Sequence, residues 1–143
     1  MRTLIAALPL AVSLLAASPA AAQTAADSAD IRATALDYID GYYTGDAARM
    51  ERALHPDLAK RIVTTDQMGH SRLGQMSAMG LVQGTRAGGG KNDPNKREDV
   101  KILDIFQNTA AVRIDAGTWV DYLQVAKWNG HWVIVNVLWE LRH

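Results

Sequence analysis

The sequence has 143 residues, no cysteine, and 15 Lys+Arg set against 15 Asp+Glu. That length admits one domain beyond a targeting segment, the balanced charge gives no reason to expect a nucleic-acid partner, and no disulfide can support the fold. Stability has to come from the core and its hydrogen bonds.

Part of the 48% hydrophobic content lies at the N-terminus, where Arg2 precedes an apolar run from Leu4 to Ala17, then Ser18-Pro19 and the small-residue site Ala20-Ala21-Ala22. This three-part order is that of a secretory signal and is too short to be read first as a membrane span, the other reading being an anchoring helix left uncleaved. Cleavage is expected after Ala22. Residues 23–143 then form a single periplasmic or secreted domain with no stable membrane association.

Asp27 or Ser28 can cap a first helix in which Ile31, Ala35, Tyr38, Ile39 and Tyr42 recur at spacings of three and four, and Gly45 can stop it. Asp46 caps a shorter second helix through Met50, Ala53 and Leu54, ended by Pro56, with His55 at its C-terminal dipole. A short strand is expected over Leu58–Thr65. A third helix follows from about Ser71 to Val82, with Leu73, Met76, Met79 and Gly80 on one side and His70 at its start. Residues 84–95, with Gly88-Gly89-Gly90 and Asp93-Pro94, read as a mobile loop that can lid a cavity.

Val100–Phe106 and Ala110–Asp115 read as two strands joined at Gln107-Asn108-Thr109. The last segment is a hairpin of long strands about Asn129-Gly130, residues that tolerate the positive φ of a type I′ turn. An unbroken register from that turn sets Tyr122 opposite Val137 and Asp121 opposite Leu138. One face then carries Val120, Tyr122, Val133, Val135, Val137 and Trp139. The other carries Trp119, Asp121, Leu123, Val125, Ile134, Asn136 and Leu138, with Asp121 and Asn136 as diagonal neighbours roughly 7–8 Å apart.

Helices first and antiparallel strands last predict an α+β fold with helices on one face of a curved sheet and a cavity between the layers, where Tyr38, Tyr42, Trp119, Asp121 and Asn136 can converge. The histidines have no metal-ligand spacing, and neither a phosphate loop nor a hydrolase elbow is present. No metal or cofactor is expected.

Tyr38-Ile39-Asp40-Gly41-Tyr42-Tyr43-Thr44-Gly45-Asp46, Leu54-His55-Pro56-Asp57, Trp119-Val120-Asp121-Tyr122-Leu123 and Asn129-Gly130-His131-Trp132-Val133-Ile134-Val135-Asn136 together resemble the putative lumazine-binding family of the nuclear transport factor 2-like, or SnoaL-like, superfamily. The resemblance implies a cone-shaped α+β barrel of three N-terminal helices on a strongly curved antiparallel sheet, often a homodimer through that sheet. Superfamily members share a container used for isomerase, dehydratase and cyclase chemistry and for binding alone, so function rests on the site.

The candidate site residues are Asp121 and His70 for acid–base chemistry, and Tyr38, Tyr42, Trp119 and Asn136 for a small hydrophobic or aromatic ligand. In an isomerase-like reaction Asp121 is the base, and Tyr38, Tyr42 or His70 are proton donors. In a binding protein the same residues line an apolar pocket without turnover. In a purely structural or protein-interaction module the cavity is filled, and Asp121 is a satisfied polar group.

Overall fold

The computed structural model describes residues 19–143, those before residue 24 by their backbone alone. The signal expected over residues 1–22 lies, but for 19–22, outside the described residues. In chain order the elements are α1 (Pro19–Thr44), α2 (Ala47–Ala53), β1 (Leu54–Thr65), β2 (Ser71–Ser77), α3 (Ala78–Arg86), β3 (Asp99–Phe106), β4 (Thr109–Asp115), β5 (Trp119–Trp128) and β6 (His131–Leu141). No helix among the described residues is long and apolar enough to cross a membrane.

Helix α1 buries Ile31, Ala35, Tyr38, Ile39 and Tyr43 against the sheet, a stripe at helical spacing. Gly45 ends it with φ +73°, and Asp46 N–H closes back on Gly41 O at 2.9 Å. Asp46 then caps α2, its carboxylate accepting from Ala48 N and Arg49 N at 3.1 Å each. Arg49 and Arg52 reach back to Asp37, so the two helices are joined by ion pairs as well as by packing.

The six strands form one curved, open sheet in the order β2-β1-β6-β5-β4-β3. All neighbours are antiparallel except β1 and β6, which run parallel. The expected α+β arrangement of helices on a curved sheet is the one observed.

Helix α1 already runs through Asp27 and Ser28, so neither is its cap; three further local expectations differ from the structure. Pro56 and His55 lie in β1 rather than at the end of α2; His55 Nδ1 accepts from Asp57 N, and its ring meets Trp128 edge-on. The helix expected from Ser71 is strand β2 up to Ser77, whose side chain caps the shorter α3 by accepting from Gly80 N at 3.1 Å. The Leu73 and Met76 spacing that suggested a helix face belongs to an exposed edge strand.

The third difference has the largest consequence. Asn129-Gly130 makes the expected turn, with φ of +49° and +80°, and Trp128 pairs with His131. Pairing holds as far as Val125 with Ile134; Val135 is then an extra residue, and Gln124 pairs with Asn136. This β-bulge moves every later residue of β6 to the face opposite to that given by unbroken register. Trp139 therefore shares the inner face with Trp119 and Asp121, while Asn136 and Leu138 turn outward.

Candidate ligand-binding site

The inner face of the sheet and the underside of the helices enclose a cavity of about 340 Å³. Its walls are Tyr38, Ile39 and Tyr42 of α1, Met50 of α2, Gly80, Leu81 and Gly84 of α3, Met76 of β2, Trp119 of β5 and Trp139 and Leu141 of β6, with Thr118 and Gly89 from loops. Lys60 of β1 is the one charged residue among them.

Lys60 is only 5% exposed and Asp121 not at all. They sit on the strands flanking β6, and the lysine spans that strand to place Nζ 2.7 Å from Asp121 Oδ1. Lys60 also donates to Tyr38 Oη at 2.6 Å. Asp121 Oδ2 accepts from Trp119 Nε1 at 2.7 Å and from Tyr38 Oη at 3.3 Å. The phenol thus accepts from the ammonium and donates to the carboxylate, which closes a three-membered polar ring around one buried ion pair.

Aromatic rings surround the ammonium, with Nζ 4.8 Å from the Trp139 ring centroid, 5.3 Å from that of Tyr38 and 5.8 Å from that of Trp119. Cation–π attraction of this kind strengthens as water is excluded. Burial pulls the Lys60 pKa below its ordinary value, against the opposing pull of Asp121. Burial, with the nearby Asp121 charge, holds the Tyr38 phenol well above its ordinary value of 10.0. The half-buried Tyr42 is raised too, by burial and then by Asp93 and Asp121.

Tyr42 packs edge-on against Trp119, centroids 5.8 Å apart. The other side of its ring is covered by the glycine run. A Cβ on Gly90 would stand 2.5 Å from Tyr42 Cδ1, and one on Gly89 3.1 Å from Tyr42 Oη. These glycines let a loop lie directly on an aromatic ring, a role distinct from the mobility expected of them.

The structure brings Tyr38, Tyr42, Trp119 and Asp121 together and separates them from two other candidates. His70 lies in the β1–β2 turn, its side chain 74% exposed and 3.5 Å from Asp66, and it is not among the cavity walls. It was expected at a helix start, and no helix begins there. Asn136 is outside the cavity because of the bulge, and its amide donates to Gln124 Oε1 across the outer face at 3.0 Å.

Lys60 and Trp139 were missed. A lysine inside a strand reads as a mark against burial, yet its parity with buried Leu58 is the signal that points it inward.

Asp121 itself does not reach the cavity wall, and both its oxygens are engaged. What faces the cavity is an ammonium already balanced by a carboxylate, amid aromatic surface. Such a site can orient and hydrogen-bond a ligand. Among the described residues no cluster of His, Asp and Glu is arranged to hold a metal ion.

A helix-covered, curved sheet with a cavity between the layers defines a nuclear transport factor 2-like domain. The chain belongs to the family described as putative lumazine-binding, whose profile matches residues 26–140. Among solved structures it is similar to a nuclear transport factor 2-like protein of unknown function from Silicibacter pomeroyi, with 19% identity over 83% of this chain and 98% of the other, TM-score 0.62. A nuclear transport factor 2-like protein with a cystatin-like fold from Novosphingobium aromaticivorans gives 15% identity, 85% and 86% coverage, and TM-score 0.62. A type 2 hexachlorocyclohexane dehydrochlorinase gives 10% identity, 86% and 90% coverage, and TM-score 0.54. These likenesses show the fold. No curated protein matches the chain.

Proposed function

We propose that this chain is an exported domain that binds a small, largely apolar aromatic or polycyclic molecule and releases it unchanged. The observation that carries the reading is the cavity of about 340 Å³ walled by Tyr42, Trp119, Trp139, Met50 and Leu81 around a single balanced ion pair. Its size falls within the roughly 300–1,000 Å³ of small-molecule sites, and its make-up matches their pattern of apolar walls with few polar groups.

The alternative is a cofactor-independent isomerase, dehydratase or cyclase with Asp121 as general base. Binding is favoured because the Asp121 carboxylate is held by Lys60, Trp119 and Tyr38 and is not on the cavity wall. A base has to come within hydrogen-bond reach of the proton it removes.

The family's description makes lumazine, a bicyclic heteroaromatic, the first compound to titrate. Calorimetric binding and a rise in thermal midpoint with concentration are expected of lumazine or of similarly sized aromatics. A panel of such compounds that leaves the midpoint unchanged would remove the reading.

Export rests on the N-terminal signal pattern and predicts a mature protein beginning at Gln23, which mass spectrometry of the protein from a periplasmic or culture fraction checks. Homodimerisation through the outer sheet face is the family-implied assembly, and the exposed Tyr122 and Leu138 side chains there support it.

A further inference from the structure

Helix α3 has nine residues, and two of them, Gly80 and Gly84, are glycine, the poorest helix former after proline. The other nine of the chain's 11 glycines each have a reason within the chain. Five have positive φ, and a Cβ on Gly41, Gly74, Gly89 or Gly90 would stand 3.1 Å or less from a neighbouring atom. Gly80 and Gly84 have neither reason. Their φ is not positive, a Cβ on Gly84 would meet nothing within 4 Å, and one on Gly80 would have Ser77 Oγ nearest, at an ordinary 3.5 Å.

Both glycines line the cavity, together with Leu81 of the same helix. At about 100° per residue Gly84 falls between Gly80 and Leu81 around the helix, so a Cβ there would project from the middle of the wall that α3 contributes. Leu81, Ile39 and Met50 on the cavity wall are buried, whereas Met76 and Leu141 are 38% and 43% exposed. Gly80 and Gly84 are exposed as well and stand with the latter at the mouth. Lys60, 5% exposed on the same wall, points independently to a ligand in this space: two of its three N–H groups go to Tyr38 and Asp121, and no described residue accepts the third.

We infer that Gly80 and Gly84 determine the size of ligand the cavity takes, the bare α3 backbone leaving room at the mouth for the outer ring of a fused polycyclic molecule whose inner end lies on the buried floor. The absent side chains serve the ligand and not the fold, which explains why a short helix carries two residues that weaken it. The inference rests on the binding function proposed above and names the wall by which that site selects among aromatic ligands.

Calorimetry with 2-naphthol and 9-phenanthrol, uncharged at neutral pH and differing by one fused ring, compares the wild type with Gly84→Ala and Gly84→Leu. The wild type is expected to bind 9-phenanthrol at least about fivefold more tightly than 2-naphthol, through the added apolar area. Gly84→Leu should lose at least about tenfold in 9-phenanthrol affinity and no more than about threefold in 2-naphthol affinity, the scale on which a few carbons in an apolar pocket discriminate. Gly84→Ala should give a smaller loss of the same kind while its thermal midpoint rises, since alanine is the better helix former and no atom stands in its way.

Unchanged 9-phenanthrol affinity in Gly84→Leu would overturn the inference and leave the pocket intact, and so would a loss shared equally by the two compounds. A lower midpoint in Gly84→Ala would overturn it too, because the fold itself would then need the glycine. Failure of both compounds to bind the wild type would count against the pocket, and so against the proposed function and the inference together.

Discussion

Asp121 stands directly across from Trp139 in the β5–β6 pair, with Leu138 opposite Tyr122. That pairing puts a carboxylate and an indole on the same inner face, and in this sequence it exists only because Val135 stays unpaired between Ile134 and Asn136. Were Val135 paired, Trp139 and Val137 would face outward and Asn136 and Leu138 would face the helices. The site is thus built by one extra residue about midway along a strand, a position at which a bulge re-aims every side chain beyond it.

Deletion of Val135 is therefore expected to keep the faces, because Asn136 then follows Ile134 directly and pairs with Gln124 in unbroken register, leaving Val137 and Trp139 inward. Insertion of one alanine between Asn136 and Val137 should instead turn Val137 and Trp139 out of the core, at about 1.5–3 kcal/mol for each large side chain. That is a large part of the roughly 5–15 kcal/mol that holds a domain folded. Urea denaturation of the two variants distinguishes them, and equal midpoints would show that the register of β6 does not set the faces.

Replacing Lys60 by Met leaves Asp121 buried with its countercharge gone, and the expected loss is about 3–5 kcal/mol. The double variant Lys60→Met, Asp121→Asn removes both charges and should recover a substantial share of that loss. A denaturation cycle over the wild type, both single variants and the double variant measures the interaction. Additive losses would mean that the 2.7 Å pair contributes nothing.

Much of the fold was legible because its signals are local. The α1 stripe, the Gly45 stop, the Asp46 cap and the Asn129-Gly130 turn each rest on a few neighbouring residues whose geometry admits few alternatives. The bulge left no such mark. Val133, Ile134 and Val135 are all apolar, so an added residue breaks no polar–apolar alternation. Strand β2 was read as helix because, exposed along nearly its whole length, it has no buried face to impose a period of two. Lys60 was hidden for a different reason: its partner is 61 positions away, and only the parallel pairing of β1 with β6 brings the two strands to the same inner face.

The glycine loop on Tyr42 gives a second packing test. Gly90→Ala would put a methyl group 2.5 Å from Tyr42 Cδ1 and 2.9 Å from Tyr42 O, so the ring or the loop has to move. Overpacking of this kind costs about 1–3 kcal/mol. Faster amide exchange is expected across residues 87–95 of the variant, with β4 and β5 unchanged. Wild-type exchange in that loop would show that the ring yields instead.

If the outer face is the dimer surface, Leu138→Arg should give a monomer by sedimentation while leaving subunit stability within about 0.5 kcal/mol, since Leu138 is 55% exposed in the single chain. A dimer that persists in this variant would move the interface elsewhere, and a wild-type monomer at micromolar concentration would remove it.

The phenols of α1 make stability depend on alkaline pH in a calculable direction. Burial, with Asp93 and Asp121 adding to it and a backbone hydrogen bond opposing, pushes Tyr43 from 10.0 up to about 12, and Tyr38 is raised in the same direction. Unfolded tyrosine loses its proton near pH 10.0, whereas the folded chain retains it, so above that pH the unfolded state binds fewer protons and the free energy of unfolding falls as pH rises. The Tyr43 contribution is complete below pH 10.0 and is lost as pH climbs through about 12. Lys60 acts with the opposite sign. Its folded pKa lies below 10.5, so in the window beneath that value the unfolded state holds more protons and stability rises with pH. Urea midpoints are thus expected to decline only once the tyrosines dominate, above pH 10, and Tyr43→Phe should flatten that decline. Its baseline will also be lower, since the 2.7 Å hydrogen bond from Tyr43 Oη to Ala116 O is gone. Tyrosinate absorbance in the folded protein gives the direct check: if Tyr38 and Tyr43 ionise near 10.0, their burial does not control the alkaline limb.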